Sequence, residues 1–342
     1  MRTRGQRLPV LLAALSAVVS SACSSVVAGV AEPSGAPSSG AKDSQPVIAL
    51  GDVRTIDVCG LTPKEVLGKV GRLENRASTS GINSCHRTIH IERDVGGGQK
   101  ETLGVLDYTL SLKSPSEGAE WLRKSYPTEF AEGKRGATTT YQGTSADGAC
   151  MRMANADTGQ LQVVVKKRTP QAQGDACATA GTALGAVLAA ASVEIPRRLT
   201  VVGSIANLDP CALVTPEMVR TAYSPDFKVS PQVSAFSCAF GGPGQGILLI
   251  SVQHMIVPGR LPPMPGTRAT TIAGRSATEN LSGGQCVIEL GHIVTDPPAD
   301  DTHPYLEAVS FFYGATPENA AIACEQTTKL ATAVAAKLPP TS

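Results

Sequence analysis

The sequence predicts an α+β fold built as two tandem repeats, each an antiparallel sheet with helices packed on one face and stapled by disulfides. Three observations carry this. A short motif, Ile56-Asp57-Val58-Cys59-Gly60-Leu61-Thr62-Pro63, returns as Leu208-Asp209-Pro210-Cys211-Ala212-Leu213-Val214-Thr215-Pro216. Strand-like alternation follows each copy in the same order, with turn residues between the runs. Eight cysteines divide evenly, Cys59, Cys85, Cys150 and Cys177 in one unit and Cys211, Cys238, Cys286 and Cys324 in the other.

In the first unit, residues 47–196, Thr62-Pro63-Lys64-Glu65 is a helix start, with Thr62 as the cap, Pro63 at the first helical position and Glu65 completing a capping box. Residues 86–93 alternate as a strand, residues 94–99 turn, and residues 102–112 return as its partner. Ser114-Pro115-Ser116-Glu117 opens a short helix carrying Trp121 and Leu122. Strands follow at 138–143, 150–154 and 161–167, and an Ala/Leu/Val helix over 175–192 carries Cys177. The second unit, residues 200–339, repeats the order. Thr215-Pro216-Glu217 starts a helix, Cys238 opens a hairpin that turns at 241–246, and Ile247 to Gln253 is the return strand. Thr270 to Gly274 echoes Thr139 to Gly143, Gly284-Gln285-Cys286 echoes Gly148-Ala149-Cys150, and Tyr305 to Tyr313 is the last strand. Thr316-Pro317-Glu318 caps a closing helix carrying Cys324. The Pro-rich residues 257–265 stand where the first unit has the Trp121 helix.

The N-terminus reads as a signal peptide over residues 1–22. Arg2, Arg4 and Arg7 form a cationic region, and the apolar run from Leu8 to Val19 is too short to span a bilayer comfortably. Ser20-Ser21-Ala22-Cys23 places small residues before a cysteine, the pattern of a lipidation site. Cys23 is the odd one of nine cysteines, and an odd cysteine in a secreted chain needs a separate role. Residues 23–46 follow as a Ser/Gly/Ala/Pro tether with too little apolar bulk for a core, reaching about 3 Å per residue if extended. Its composition also suits glycosylation.

Cysteine spacing selects the pairing. The first-to-second step is 26 residues in one unit and 27 in the other, whereas the second-to-third step varies between 65 and 48. A length-tolerant connection between two separately closed loops gives Cys59–Cys85 and Cys150–Cys177, then Cys211–Cys238 and Cys286–Cys324. Eight such cysteines belong in an oxidising compartment, and no C-x-x-C spacing points to zinc.

Composition excludes some functions. Without the three N-terminal arginines the chain holds 27 basic against 29 acidic residues, so no basic face is implied and nucleic acid is not an expected partner. Aromatics make up 4%. The Gly-rich turns match neither GxxxxGK[ST] nor GxGxxG, and their place between strands makes them hairpin turns. His86 and His90 share a strand face but lack a third ligand, and read as exposed. His254, His292 and His303 are scattered. Asp57 and Asp209 read as turn or cap residues. Lys166-Lys167-Arg168 and Arg197-Arg198 read as solvated surface. No catalytic residue, metal ligand or cofactor is expected.

The cysteine after small residues, the Ser/Pro tether and the D-x-C-x-L-(x)-T-P motif together resemble a family of secreted lipoproteins of actinobacteria, mycobacteria among them, with D-P-C-x-L-x-T-type α+β domains. Asp209 to Pro216 with Cys238 is the closer match, and Asp57-Val58-Cys59 lacks the proline. The resemblance implies a diacylated Cys23 and a place on the outer face of the cell membrane, and assigns no activity. A looser likeness is to the disulfide-bonded sensor domains of mycobacterial receptor kinases. The expected function is therefore a tethered, non-catalytic binding or accessory module for an envelope protein, a lipid or a cell-wall component. The alternatives are an envelope hydrolase with its site between the repeats and a sensor-like partner of an envelope kinase or transporter.

Overall fold

Two seven-stranded antiparallel sheets, each with its own core, make up a computed structural model that describes residues 48–74, 82–113, 119–199, 201–230, 234–242, 245–256, 266–282, 284–295, 304–314 and 320–340. The signal peptide, Cys23, the tether, the Pro-rich 257–265 and Thr316-Pro317-Glu318 lie outside the described residues.

The first sheet contains β1 (Arg72–Leu73), β2 (Ser84–Gly96), β3 (Gln99–Lys113), β4 (Thr128–Arg135), β5 (Thr138–Thr144), β6 (Cys150–Asn155) and β7 (Gln160–Lys167). Their order in space is β1-β2-β3-β7-β6-β5-β4. The second contains β8 (Lys228–Val229), β9 (Ser237–Gly242), β10 (Gln245–Ile256), β11 (Thr267–Ile272), β12 (Arg275–Ser282), β13 (Gln285–Thr295) and β14 (Tyr305–Gly314), in the order β8-β9-β10-β14-β13-β12-β11. Read strand for strand, the two orders are the same.

Each sheet seats a long helix on its inner face. In the first, α3 (Ala176–Val193) buries Ala180, Ala183, Leu184, Val187 and Leu188, a stripe at helical spacing whose small members let helix and strands approach closely. Asp175 caps it, its carboxylate accepting the N–H groups of Cys177 and Ala178 at 2.9 Å. By length and composition α3 is apolar enough to cross a membrane, but its stripe belongs to the core with Leu110, Leu161 and Val163. In the second, α6 (Ala320–Ala335) packs Leu330, Ala331 and Val334 into a core with Phe240, Ile288 and Phe311.

Helices do not all lie on one face. The short α2 (Ala119–Ser125) buries Leu122 against Met151 and Met153, which alternate on β6 with Cys150 and Ala154 of the main core. It therefore covers the opposite side of the first sheet, while Trp121 stands exposed.

Two helix starts with one sequence pattern behave differently. Thr215 caps α5 (Pro216–Ala222), its hydroxyl accepting the Met218 N–H at 3.3 Å with Pro216 at the first position. In α1 (Lys64–Val70) the cap position belongs to Pro63 and no side chain caps it, because Thr62 is buried with its hydroxyl toward the Tyr108 phenol. Burial decided that site over local capping.

The strand echo drawn from Thr139 to Gly143 is also displaced. Thr139 to Gly143 lies inside β5, whereas Thr270 to Gly274 ends β11 and makes the turn into β12. The matching turn residues are Gly136 and Gly274, at φ +60° and +79°, each between an edge strand and its neighbour.

Candidate functional site

The four disulfides join Cys59 to Cys85, Cys150 to Cys177, Cys211 to Cys238, and Cys286 to Cys324. These are the pairs that the cysteine steps predicted, and each bond stays within one half of the chain. The first bond of each set ties the segment before the opening helix to the first hairpin; the second ties the closing helix to β6 or β13.

Titratable groups gather where the halves join. Residues 196–198 lie back along the first half. Asp57 N–H donates to Pro196 O at 2.9 Å and Arg198 N–H to Thr55 O at 2.7 Å. Arg197 reaches Leu50 O, Asp52 O and Thr55 Oγ1 at 2.8–3.0 Å. Arg198 donates to Ile82 O at 2.8 Å and Ile56 O at 3.1 Å. Burial pushes the Arg198 guanidinium below its ordinary range, opposed by the charges of Asp57 and Glu307. Arg197 and Arg198 both clamp main-chain carbonyls; Arg197 is exposed, as expected of a solvated residue, whereas Arg198 is half-buried. Ile82, from the first half of the sequence, sits in the second core, and Ala235 packs against both.

Beyond Arg198 the chain enters the second half through Gly203-Ser204-Ile205, and buried polar side chains hold that loop. Glu307 is 2% exposed and stands opposite His254 on β14 and β10. Its carboxylate accepts the Ser204 hydroxyl at 2.7 Å and the Ile205 N–H at 2.8 Å. His254 Nε2 lies 3.8 Å from Glu307 Oε1, with its ring stacked on Tyr305 at 5.7 Å. Burial alone would raise the Glu307 carboxyl, but His254, Ser204 and the Ile205 N–H outweigh it and hold the group below its usual range. A bulge between Gly291 and Val294 carries the buried His292, whose Nε2 bonds Gly203 O at 2.6 Å while Nδ1 faces Arg275 at 2.9 Å. Because Arg275 can only donate, Nδ1 is the acceptor and the Nε2–H donates to Gly203. Arg275 also holds Pro339 O at 2.8 Å.

The first half has a counterpart. Asp157 accepts the Leu50 N–H at 2.7 Å, and the Thr158 hydroxyl donates to Gly51 O at 2.7 Å. In each half a carboxylate near the start of the last strand receives a main-chain N–H of the entering segment, from the exposed turn before β7 in one and from within β14 in the other.

This arrangement positions a backbone rather than a reacting group. Ser204 Oγ donates to Glu307 and accepts the Ala206 N–H at 3.1 Å, so its hydrogen bonds serve the loop. In a serine–histidine–carboxylate triad the imidazole is the base on the hydroxyl and the carboxylate orders it from behind, whereas here the carboxylate stands between hydroxyl and ring. Of the residues singled out in the sequence, Asp209 caps α4 (Pro210–Leu213), accepting the Cys211 N–H at 2.8 Å. His86 and His90 are half-buried rather than exposed, His86 bonded to Thr109 at 2.9 Å and His90 lying 3.6 Å from Glu74. Lys166 pairs with Asp147, and Arg168 with Asp107 at 2.6 Å. The turn at Gly97 and Gly98 joins two strands, as a hairpin turn should. His303 lies outside the described residues. Among the described residues no three His, Cys, Asp or Glu side chains stand close enough to hold a metal ion.

His254 and His292, scattered in sequence, converge on one loop. Glu307 gave no signal in the sequence, since Leu306-Glu307-Ala308 is an ordinary alternation on a strand whose inward residue happens to be charged. Set against protein-family models, characterised proteins and solved structures, the chain matches none of them.

Proposed function

We propose that the chain is a membrane-tethered envelope lipoprotein, of the actinobacterial kind its sequence resembles, acting as a non-catalytic binding or accessory module outside the membrane. The observation that carries this reading is the cysteine account. Eight of the nine cysteines are consumed in four bonds within the folded part, which suits an oxidising compartment and leaves Cys23 as the one without a disulfide role. Cys23 stands after an apolar run and small residues, where acylation and a Ser/Pro tether give it a purpose.

The folded part reads as a duplicated unit, residues 47–196 and 200–339. The shared strand order, the matched disulfides and the paired carboxylate latches of Asp157 and Glu307 support that. Two stapled units on a tether suit a partner in the envelope, whether protein, lipid or cell-wall component. Cells producing the wild-type chain and a Cys23→Ala variant test the reading by fatty-acid labelling and fractionation. The wild type takes up label and sediments with membranes, and the variant does neither. A wild-type chain that carries no label, with its mature N-terminus beyond Cys23, overturns it.

A further inference from the structure

An open hollow of about 490 Å³ lies over one of the four disulfides, Cys150–Cys177, and both half-cystines line it together with Glu129, Thr144, Lys167 and Asp175. We infer that this bond is an exchange site for a dithiol, and the one of the four that an outside thiol opens first.

Cys177 is half-buried on the first turn of α3, whereas Cys150 is 2% exposed on β6. An incoming thiolate from the hollow therefore meets the Cys177 sulfur, and Cys150 is the leaving sulfur. Thr144 Oγ1 lies 3.7 Å from Cys150 Sγ and 3.8 Å from Cys177 Sγ, so one hydroxyl is placed to donate to whichever sulfur takes the charge. Lys167 lines the hollow together with the carboxylates of Glu129 and Asp175, so the Thr144 hydroxyl, not the net charge, is the group that favours a thiolate here. Most of the other half-cystines are more enclosed. Cys85, Cys238 and Cys286 are fully buried, and Cys59 and Cys324 are 7% exposed. Cys211 is half-buried like Cys177, packs against the second core as Cys177 does against the first, and has its N–H held by Asp209 as Cys177 has by Asp175; what distinguishes Cys177 is the hollow and the Thr144 hydroxyl.

In the exchange the dithiol's thiolate forms a bond to Cys177 Sγ as the S–S bond breaks, and its electron pair leaves on Cys150 Sγ. The dithiol's second thiol, deprotonated, then attacks its own first sulfur and releases Cys177. The dithiol ends as a disulfide, and its two electrons and two protons end on Cys150 and Cys177. The buried stripe of α3 remains seated, so opening frees the start of the helix without emptying the core.

The test uses the oxidised full chain, treated with graded dithiothreitol, trapped with N-ethylmaleimide and mapped by peptide. Cys150 and Cys177 are expected to label at least about tenfold faster than the other six, and Thr144→Val to slow that pair about threefold while leaving the rest unchanged. Another pair opening first, or all eight labelling together, overturns the proposal. An unchanged rate in Thr144→Val overturns the part given to the hydroxyl.

Discussion

Replacing Glu307 with alanine removes the acceptor that holds the entry to the second half. The Ile205 N–H is fully buried and the Ser204 hydroxyl half-buried, and both lose their acceptor when the carboxylate goes. Hydrogen bonds to a charged acceptor contribute about 1.5–3 kcal/mol each, and stranding a buried donor forfeits that contribution in full. Two such bonds put the cost of Glu307→Ala at about 3–6 kcal/mol, read as a shifted midpoint in urea unfolding. Glu307→Gln keeps one acceptor oxygen and should cost about half as much. Acidity separates the charge from the shape. The folded carboxyl lies below its unfolded value of 4.5, so its stabilisation is complete above that value and is lost as pH falls through the folded one. The wild type should therefore lose stability below pH 4.5 more steeply than the glutamine variant. A Glu307→Ala cost under about 1 kcal/mol, or parallel acid profiles for wild type and glutamine variant, would refute the latch.

Other outcomes follow from single contacts. Arg198→Met strands the carbonyls of Ile56 and Ile82 and should cost about 2–3 kcal/mol in the same assay, while an exposed-lysine control such as Lys134→Met should cost under about 0.5 kcal/mol. Asp147 accepts Lys166 and Ser145, which hold its carboxyl at about 2; carboxyl NMR should find it there, and Lys166→Ala should return it toward 3.8. Gly246 stands in a bulge where an added Cβ would fall 1.6 Å from Gly314 O, so Gly246→Ala should force β10 off β14 and give insoluble or strongly destabilised protein on expression.

Much of this architecture was legible in the chain. Alternation marked the long strands, since a half-buried strand must place apolar side chains every second residue. Disulfide pairing was legible because a first closed loop of nearly constant length, 26 and 27 residues, precedes a connection that varies. The edge strand β4, Thr-Glu-Phe-Ala-Glu-Gly-Lys-Arg, was not, because seven of its eight residues are exposed and it carries no buried face to write a pattern. Its absence is also why the Thr-Thr echo slid past the true turn at Gly136.

Local chemistry fixed what local chemistry can hold: the Asp175 and Asp209 caps, the Thr215 cap, the glycine turns and the closed cysteine loops. What remained belonged to tertiary structure. Thr62 carries the same capping pattern as Thr215 and abandons it, because the first core puts Tyr108 against it. Arg198 reads as a solvated charge until the first half presents its carbonyls to it. Glu307, His254 and His292 are separated by up to 53 residues, and only the pairing of β10 with β14 and a bulge in β13 bring them to one loop. Their burial is affordable there because backbone donors and acceptors replace water, and no sequence period records where a distant main chain will pass.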